Sequence, residues 1–348
     1  MVFNDNGTLV SYNSIGGIDT NESADAIGIS MGTLSVDATI TTAGGGVNNA
    51  LVTNNKINGI NSNSTTGFSA AGIAIAGNSG SANIISNNMI TGVIANSTSP
   101  DLLAGIFVVG ATGSDTKIYH NSVSMTGNRG TTAAQMPSYG IAITGTDPTV
   151  ELKNNIFYNI QEPGSGGVNA KTYAIGMVTS TFTNLNSNNN DFFTGGTQPG
   201  FFRSGSLDVT GGTDYATRAL WTAATAKDAN SAELLPPFIN ILTDLHLSAK
   251  MVGISGTPLA TIKTDFDCQT RAAVPEVGAD EFGIISIATG SWTVPATWNL
   301  NRVPVSSDVV IIDNPHTVTL NSTGNAKNVL QKGKLTLGNV SALLRLGF

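Results

Sequence analysis

Cysteine is almost missing. Cys268 is the one thiol in 348 residues, so no disulfide forms within the chain and a small scaffold held by disulfides is excluded. Charge is scarce as well: Asp, Glu, Lys and Arg make up 11% of residues, against about 25% in ordinary soluble domains. Disorder driven by charge and a long coiled coil are both ruled out. No run of about 18 apolar residues occurs, so no membrane-spanning helix is predicted. Basic residues gather nowhere. Residues 1–205 hold 6 basic and 11 acidic residues, 206–283 hold 5 and 10, and 284–348 hold 5 and 2. Without a basic stripe to neutralise phosphates, nucleic-acid binding is not expected. Met1-Val2-Phe3 runs straight into Asn4-Asp5-Asn6, which is no signal peptide. An exported protein of this kind would carry its signal outside this chain.

Glycine and asparagine are plentiful, at 40 and 36 residues, and they recur in phase. An apolar-x-x-Asn-x-apolar pattern appears as Val52, Asn55, Ile57, then Ile85, Asn88, Ile90, then Ile118, Asn121, Val123, then Leu152, Asn155, Phe157. The Asn-to-Asn steps are 33, 33 and 34, and Asn190-Asp191-Phe192 is a degenerate fifth copy. A second track runs beside it: Ala71-Gly72-Ile73, Ala104-Gly105-Ile106, Tyr139-Gly140-Ile141 and Tyr173-Ala174-Ile175. Asn13 with Ile15, and Ile27 with Ile29, form an earlier copy followed by a longer insertion. Two β-patterned segments per period with polar turns predict the coils of a parallel β-helix. Stacking buries an inward aliphatic row that a single coil cannot bury. The glycines are expected at tight corners. Asn55, Asn88, Asn121 and Asn155 are expected to form a ladder, each amide bonding the next. The fold class is therefore all-β, a solenoid of about 33–35 residues per coil over 1–205.

From 206 the character changes. Trp221 is followed by Asp228-x-x-Ser231, Pro236-Pro237-Phe238, Asp244-Leu245-His246-Leu247, Asp265-Phe266-Asp267-Cys268-x-x-Arg271 and Pro275-Glu276-Val277-Gly278-Ala279-Asp280-Glu281-Phe282. This stretch resembles the C-terminal closing segment of secreted right-handed parallel β-helix proteins of the Bacteroidetes. Cys268 stands where that family has Gly, and Glu276 where it has Asp. The resemblance covers about 215–282. It implies a right-handed helix, an extracellular or cell-surface setting, and 206–283 as the closing segment. Asp265, Asp267, Asp280 and Glu281 offer oxygen ligands that could gather around Ca²⁺. The plainer reading is a polar end plug in which Arg271 pairs with Asp265, Asp267 or Asp280 and no cofactor is needed.

Residues 284–348 resemble a second β-solenoid module found in the same secreted proteins. It carries Gly290-Ser291-Trp292, Thr297-Trp298, Asp308-Val309-Val310-Ile311-Ile312, Val318-Thr319-Leu320 and Leu335-Thr336-Leu337-Gly338. Trp292 and Trp298 are expected either to pack over the strands or to offer a stacking platform for sugars. The strand pattern from Leu343 to Phe348 has no polar capping repeat. A fragment of a longer chain is one expectation from this; burial of uncapped ends against a neighbour, as in a head-to-tail filament, is the other.

No catalytic constellation is legible. Cleavage of acidic polysaccharides needs paired carboxylates, or a base beside a cation. Yet no acidic residue occurs between Asp37 and Asp101, and the following Asp115 and Asp147 are out of register. Lys117 and Glu151, 34 apart, are expected to form an exposed pair across coils. His120 is expected at a solvent-facing turn, His246 in a structural role and His316 on the surface. Three histidines in three regions argue against a His-rich metal site. The Thr-x-Thr pairs do not recur at the coil period, so an ice-binding array is not expected. The sequence thus predicts a non-catalytic extracellular protein, structural or adhesin-like, whose partners are copies of itself or glycans. Its Ser/Thr-rich surface suits glycosylation. The alternatives are carbohydrate binding without turnover and a polysaccharide lyase or hydrolase.

Overall fold

The structure is a computed structural model. The residues it describes are 1–21, 24–33, 35–40, 45–64, 67–130, 135–163, 170–306 and 308–347. The chain divides into two compact units, Met1–Thr257 with Val277–Asp280, and Pro258–Glu276 with Glu281–Phe348.

The first unit is a stack of coils, each giving one strand to each of three parallel sheets. The first sheet runs through Leu9–Ser11, Leu51–Thr53, Ala82–Ser86, Asp115–Tyr119, Thr149–Lys153 and Leu185–Asn188. The second holds Ser14–Thr20, Lys56–Ser62, Met89–Ala95, Ser122–Met125, Ile156–Asn159 and Asp191–Thr194. The third holds Ala26–Met31, Ala70–Gly77, Leu103–Gly110, Ser138–Gly145, Thr172–Met177 and Pro199–Ser204, with antiparallel Thr213–Tyr215 at its edge. The period therefore carries three strands, where the sequence pattern suggested two. The pattern ran together the strands before and after each Asn, because only a short corner separates them. Ile73 pairs with Ile106 and Ile106 with Ile141, so the second track stacks in register. Ile57, Ile90, Val123, Phe157 and Phe192 stack likewise in the second sheet and are wholly buried.

The corner between the first and second sheets is made by a left-handed residue just before each ladder Asn. Tyr12, Asn54, Asn87, His120, Asn154 and Asn189 all have φ between 53° and 60°. Asn tolerates this region better than most residues with a Cβ, which is why Asn-Asn pairs recur. The second-track glycines serve a different need from the corner role expected of them. A Cβ on Gly105 would lie 2.3 Å from Val123 Cγ1, and one on Gly72 would lie 2.4 Å from Ile90 Cγ2. The third sheet thus presses directly on the second, and only glycine fits.

The third sheet is buried on both faces. Its outward Ala71, Ala74, Ala104, Phe107, Tyr139 and Tyr173 lie under Val36, Leu102, Met136 and Leu207 from the loops. The second sheet is covered by the chain returning from the last coil. Asp191 accepts Leu234 N–H at 2.8 Å, Tyr158 meets Phe238 edge-on at 6.5 Å, and Ser124 Oγ donates to Ile241 O at 2.6 Å. The first sheet shows polar side chains such as Lys117, Glu151 and Asn186 outward.

The second unit contains three smaller parallel sheets. They pair Ile284–Ile285, Val309–Ile312 and Asn328–Gln331; Gly290–Ser291, Thr317–Leu320 and Lys334–Leu337; and Thr323–Ala326 with Leu343–Leu346. Their core is Ile284, Trp292, Trp298, Val310, Ile312, Val318, Leu320 and Ala326. Residue 348 lies outside the described residues. No helix is long and apolar enough to cross a membrane.

Candidate functional site

The ladder is the most regular side-chain array in the molecule. Asn13 Nδ2 donates to Asn55 Oδ1, Asn55 to Asn88, Asn88 to Asn121, Asn121 to Asn155 and Asn155 to Asn190, all at 2.9–3.0 Å. Each Oδ1 also receives the backbone N–H of the preceding ladder Asn, as Asn121 does from Asn88 at 3.0 Å. The second amide proton goes to a backbone carbonyl, that of Ile85 at 2.9 Å from Asn121. Asn55, Asn88, Asn121 and Asn155 are all 0% exposed. Their amides seal the corner of the stack and face no ligand.

The closing motif ends this ladder. Ser231 Oγ takes the place of the next Oδ1 and receives Asn190 N–H at 2.9 Å. Asp228 accepts from Ser231 Oγ and Ser187 Oγ at 2.7 Å each, and from Trp221 Nε1 at 2.8 Å. Burial raises the Asp228 pKa against these four side-chain bonds, the fourth from Asn190. Trp221, on the short helix Arg218–Thr225, stacks on Phe202 at 5.2 Å and closes the interior. The Trp, Asp-x-x-Ser and Pro-x-Phe elements are therefore the parts of a lid.

His120 corrects the expectation of a solvent-facing turn: it is 0% exposed. It occupies the left-handed corner, with Nδ1 3.2 Å from Gly278 O and Nε2 2.8 Å from Asn154 Nδ2. These partners assign the proton to Nδ1. His246 Nδ1 bonds Asp244, and His316 Nδ1 lies 3.1 Å from Ser286 Oγ. Lys117 and Glu151 are register partners, but their ion pairs are made elsewhere, with Asp115 and Lys153 respectively. Each finds a partner two residues along its own strand on the same face.

Asp265 accepts the N–H groups of Asp267, Gln269 and Glu281 at 2.7–3.0 Å. Glu281 pairs with Arg271 at 3.2 Å. Asp267 pairs with Lys327 at 3.0 Å, and Asp280 accepts Leu247 N–H at 2.7 Å. Burial raises Asp265 to about 6 and Glu281 to about 7, with Arg271 opposing both shifts. All four carboxylates meet protein donors, and the acid that pairs with Arg271 at 3.2 Å is Glu281, which the sequence reading did not name as its partner. Cys268 has φ 66°, the conformation for which a glycine at that position is suited. Trp292 and Trp298 are both 0% exposed. Their rings meet edge to face at 5.2 Å, and Trp298 Nε1 donates to Trp292 O at 2.9 Å. They are core residues and offer no open face to a sugar.

Two groupings escaped the sequence. The first is a carboxylate trio, Asp25, Asp37 and Asp101, assembled around Ser69. Asp25 accepts the N–H groups of Ser69 and Val36 at 3.0 and 2.9 Å, and Asp37 accepts Thr39 N–H at 2.6 Å. Ser69 Oγ lies 3.0 Å from Asp101 Oδ1 and 2.6 Å from Val36 O, and receives Leu102 N–H at 3.0 Å. One hydroxyl proton cannot serve both acceptors. A proton on Asp101 completes the set, and burial, reinforced by Asp25 and Asp37, raises Asp101 to about 6. The loops carrying Asp25 and Asp37 lie in the irregular first coil, so no spacing announced the trio.

The second is a cleft of about 250 Å³ at the corner between the second and third sheets. It crosses three consecutive coils and is lined by Ser62, Asn63, Ser64, Ile94, Asn128 and Arg129 among others. Arg129 is 2% exposed. Its Nη1 and Nη2 donate to Met136 O and Ala170 O at 2.6 and 2.5 Å. No carboxylate bonds it among the described residues, and burial lowers its pKa to about 10.

Set against known proteins, the chain matches no family model, no curated protein and no solved structure.

Proposed function

We propose that this is an extracellular, non-catalytic surface protein of structural or adhesin-like type. In this reading 1–205 form a right-handed β-helix, 206–283 are its closing segment, the smaller sheets within 284–348 are a second β-solenoid module, and the protein is of the kind secreted by Bacteroidetes. The observation that carries it is the use of the polar groups. The buried amides make a continuous ladder, Asp228 and Ser231 end it, and the carboxylates of the closing motif hold backbone N–H groups and cations. The polar groups stiffen the stack of coils, as suits a protein that displays a surface. The sequence resemblance over 215–282 supports the setting. The reading needs no cofactor. Outward leucines on the last strands of the smaller sheets, Leu330, Leu337, Leu343 and Leu346, are 46–63% exposed and favour contact with another copy, as in a filament. The Ser/Thr-rich surface suits glycosylation.

The competing reading, a polysaccharide lyase or hydrolase, would use Asp101 as an acid beside Asp25. Incubation with a panel of acidic and neutral polysaccharides decides between them. No new reducing or unsaturated ends are expected. Reproducible cleavage abolished by Asp101→Asn would overturn the non-catalytic reading.

A further inference from the structure

We propose that the cleft crossing the three coils at Ser62, Asn96 and Arg129 binds a carboxylated saccharide chain, such as a uronate oligomer. The proposal rests on the surface-protein reading only in taking the bound chain to be left uncut. The first argument is unmet hydrogen-bonding capacity. Ser62 Oγ and Arg129 Nε are buried without a hydrogen-bond partner among the described residues, and both residues line the cleft. Buried donors left unpaired are costly, and a ligand that meets them recovers that cost.

The second argument is charge. The guanidinium bonds two carbonyls and no carboxylate, and no acidic residue occurs anywhere between Asp115 and Asp147. The acid whose field reaches Arg129 is Glu162. Its carboxylate is held by Thr197, whose N–H bonds it at 3.1 Å. At the other margin, Asp19 accepts from Asn61 at 2.8 Å. The buried cation is thus incompletely neutralised, and an incoming carboxylate is its natural counter-ion.

The third argument is shape. Ser62 pairs with Ala95 in register, and the Asn128–Gly130 turn follows in the next coil. A linear chain laid along the stack meets a similar polar group once per coil. Asn63 and Asn128 offer amides to sugar hydroxyls, while Ile94 offers an apolar surface to the C–H face of a ring. A small inorganic anion would use the charge but not this length.

The test is calorimetric titration of the whole protein with a hexameric galacturonate and with a neutral glucose hexamer. The uronate is expected to bind at least about tenfold more tightly, less so as salt rises. Ser62→Ala is the decisive variant. Its hydroxyl has no partner among the described residues, so the melting temperature should hold or rise while uronate affinity falls by about tenfold. Asn63→Ala with Asn128→Ala should weaken both ligands. No uronate binding, equal binding of the two hexamers, or an unchanged affinity in Ser62→Ala would each overturn the proposal. Cleavage of the uronate during titration would instead overturn the non-catalytic reading and leave the site standing.

Discussion

Asp191 follows the ladder residue Asn190 and points outward from the second sheet, under the returning chain. Oδ1 accepts Leu234 N–H at 2.8 Å, while Oδ2 is buried without a partner among the described residues. Burial raises its pKa from 3.8 to about 7, with the Leu234 bond opposing and Glu233 adding. A raised carboxyl keeps its proton in the folded state at a pH where the unfolded chain has lost it. Stability contributed by the neutral form is therefore present at low pH. It declines as pH rises from about 4 to about 7, then levels off. Asp101, Asp265 and Glu281 act in the same direction. In Glu151 and Asp214, hydrogen bonds from Lys153 and Lys171 overcome desolvation and lower the pKa, so these two lose their contribution only in acid. Melting temperatures of the parent protein should be higher at pH 5 than at pH 8. Asp191→Asn should raise the value at pH 8 and leave a shallower slope. A variant with the parent's slope would show that Asp191 is ionised at no cost.

At the scale of the strand, the second track shows what a sequence can and cannot disclose. Ile73, Ile106 and Ile141 were legible because an inward aliphatic row must repeat once per coil, whatever the turns do. The glycine beside each was legible as a recurrence, but its purpose was not. It depends on the distance between two sheets, which no spacing along one chain records. Gly105 should therefore be intolerant of side chains. A Cβ there meets Val123 Cγ1 at 2.3 Å and Gly140 O at 2.8 Å, and neither can withdraw without unpairing strands. Gly105→Val is expected to cost about 3 kcal/mol or more, at or beyond the upper end of overpacking in a dense core. Gly80, where an added Cβ meets nothing within 4 Å, is the control: its φ of 80° makes Gly80→Ala cost only about 1 kcal/mol of backbone strain. Denaturant titration of the two variants measures the contrast. The Asp25–Asp101 trio and the Ser62–Arg129 cleft stayed hidden for a related reason. The trio sits in loops beside the strands, where phase is lost; the cleft keeps phase, with Asn63, Asn96 and Arg129 spaced 33 apart, but its residue types change from coil to coil, so no motif repeats. The aromatic residues misled in the opposite sense. Trp292 and Trp298 carry the right chemistry for sugar stacking, and only their burial shows that the core has claimed them.

Over the whole molecule, stability in a stack of coils is close to a sum of nearest-neighbour terms, so the ends govern where unfolding begins. In the first unit the end near Trp221 is elaborately closed. The indole stacks on Phe202 and meets Phe182 and Tyr215 edge-on at 5.5 and 5.4 Å. Its N–H helps hold Asp228, which in turn holds Ser231 against the last ladder Asn. One side chain thus joins the apolar interior to the polar ladder. Trp221→Ala removes the ring and leaves the buried Asp228 short of a donor, for an expected loss of about 3–5 kcal/mol. Trp221→Phe restores most of the packing but not the N–H, and should fall between. The distribution of the loss is the sharper expectation. Amide exchange in Trp221→Ala should quicken first in Leu185–Asn188, Asp191–Thr194 and Pro199–Ser204. The strands Leu51–Thr53, Lys56–Ser62 and Ala70–Gly77, four coils away, should keep the parent's protection. If exchange instead rose evenly through every coil, the stack would unfold as one cooperative body. The ladder, continuous from Asn13 to Asn190, would then be the element that couples it from end to end.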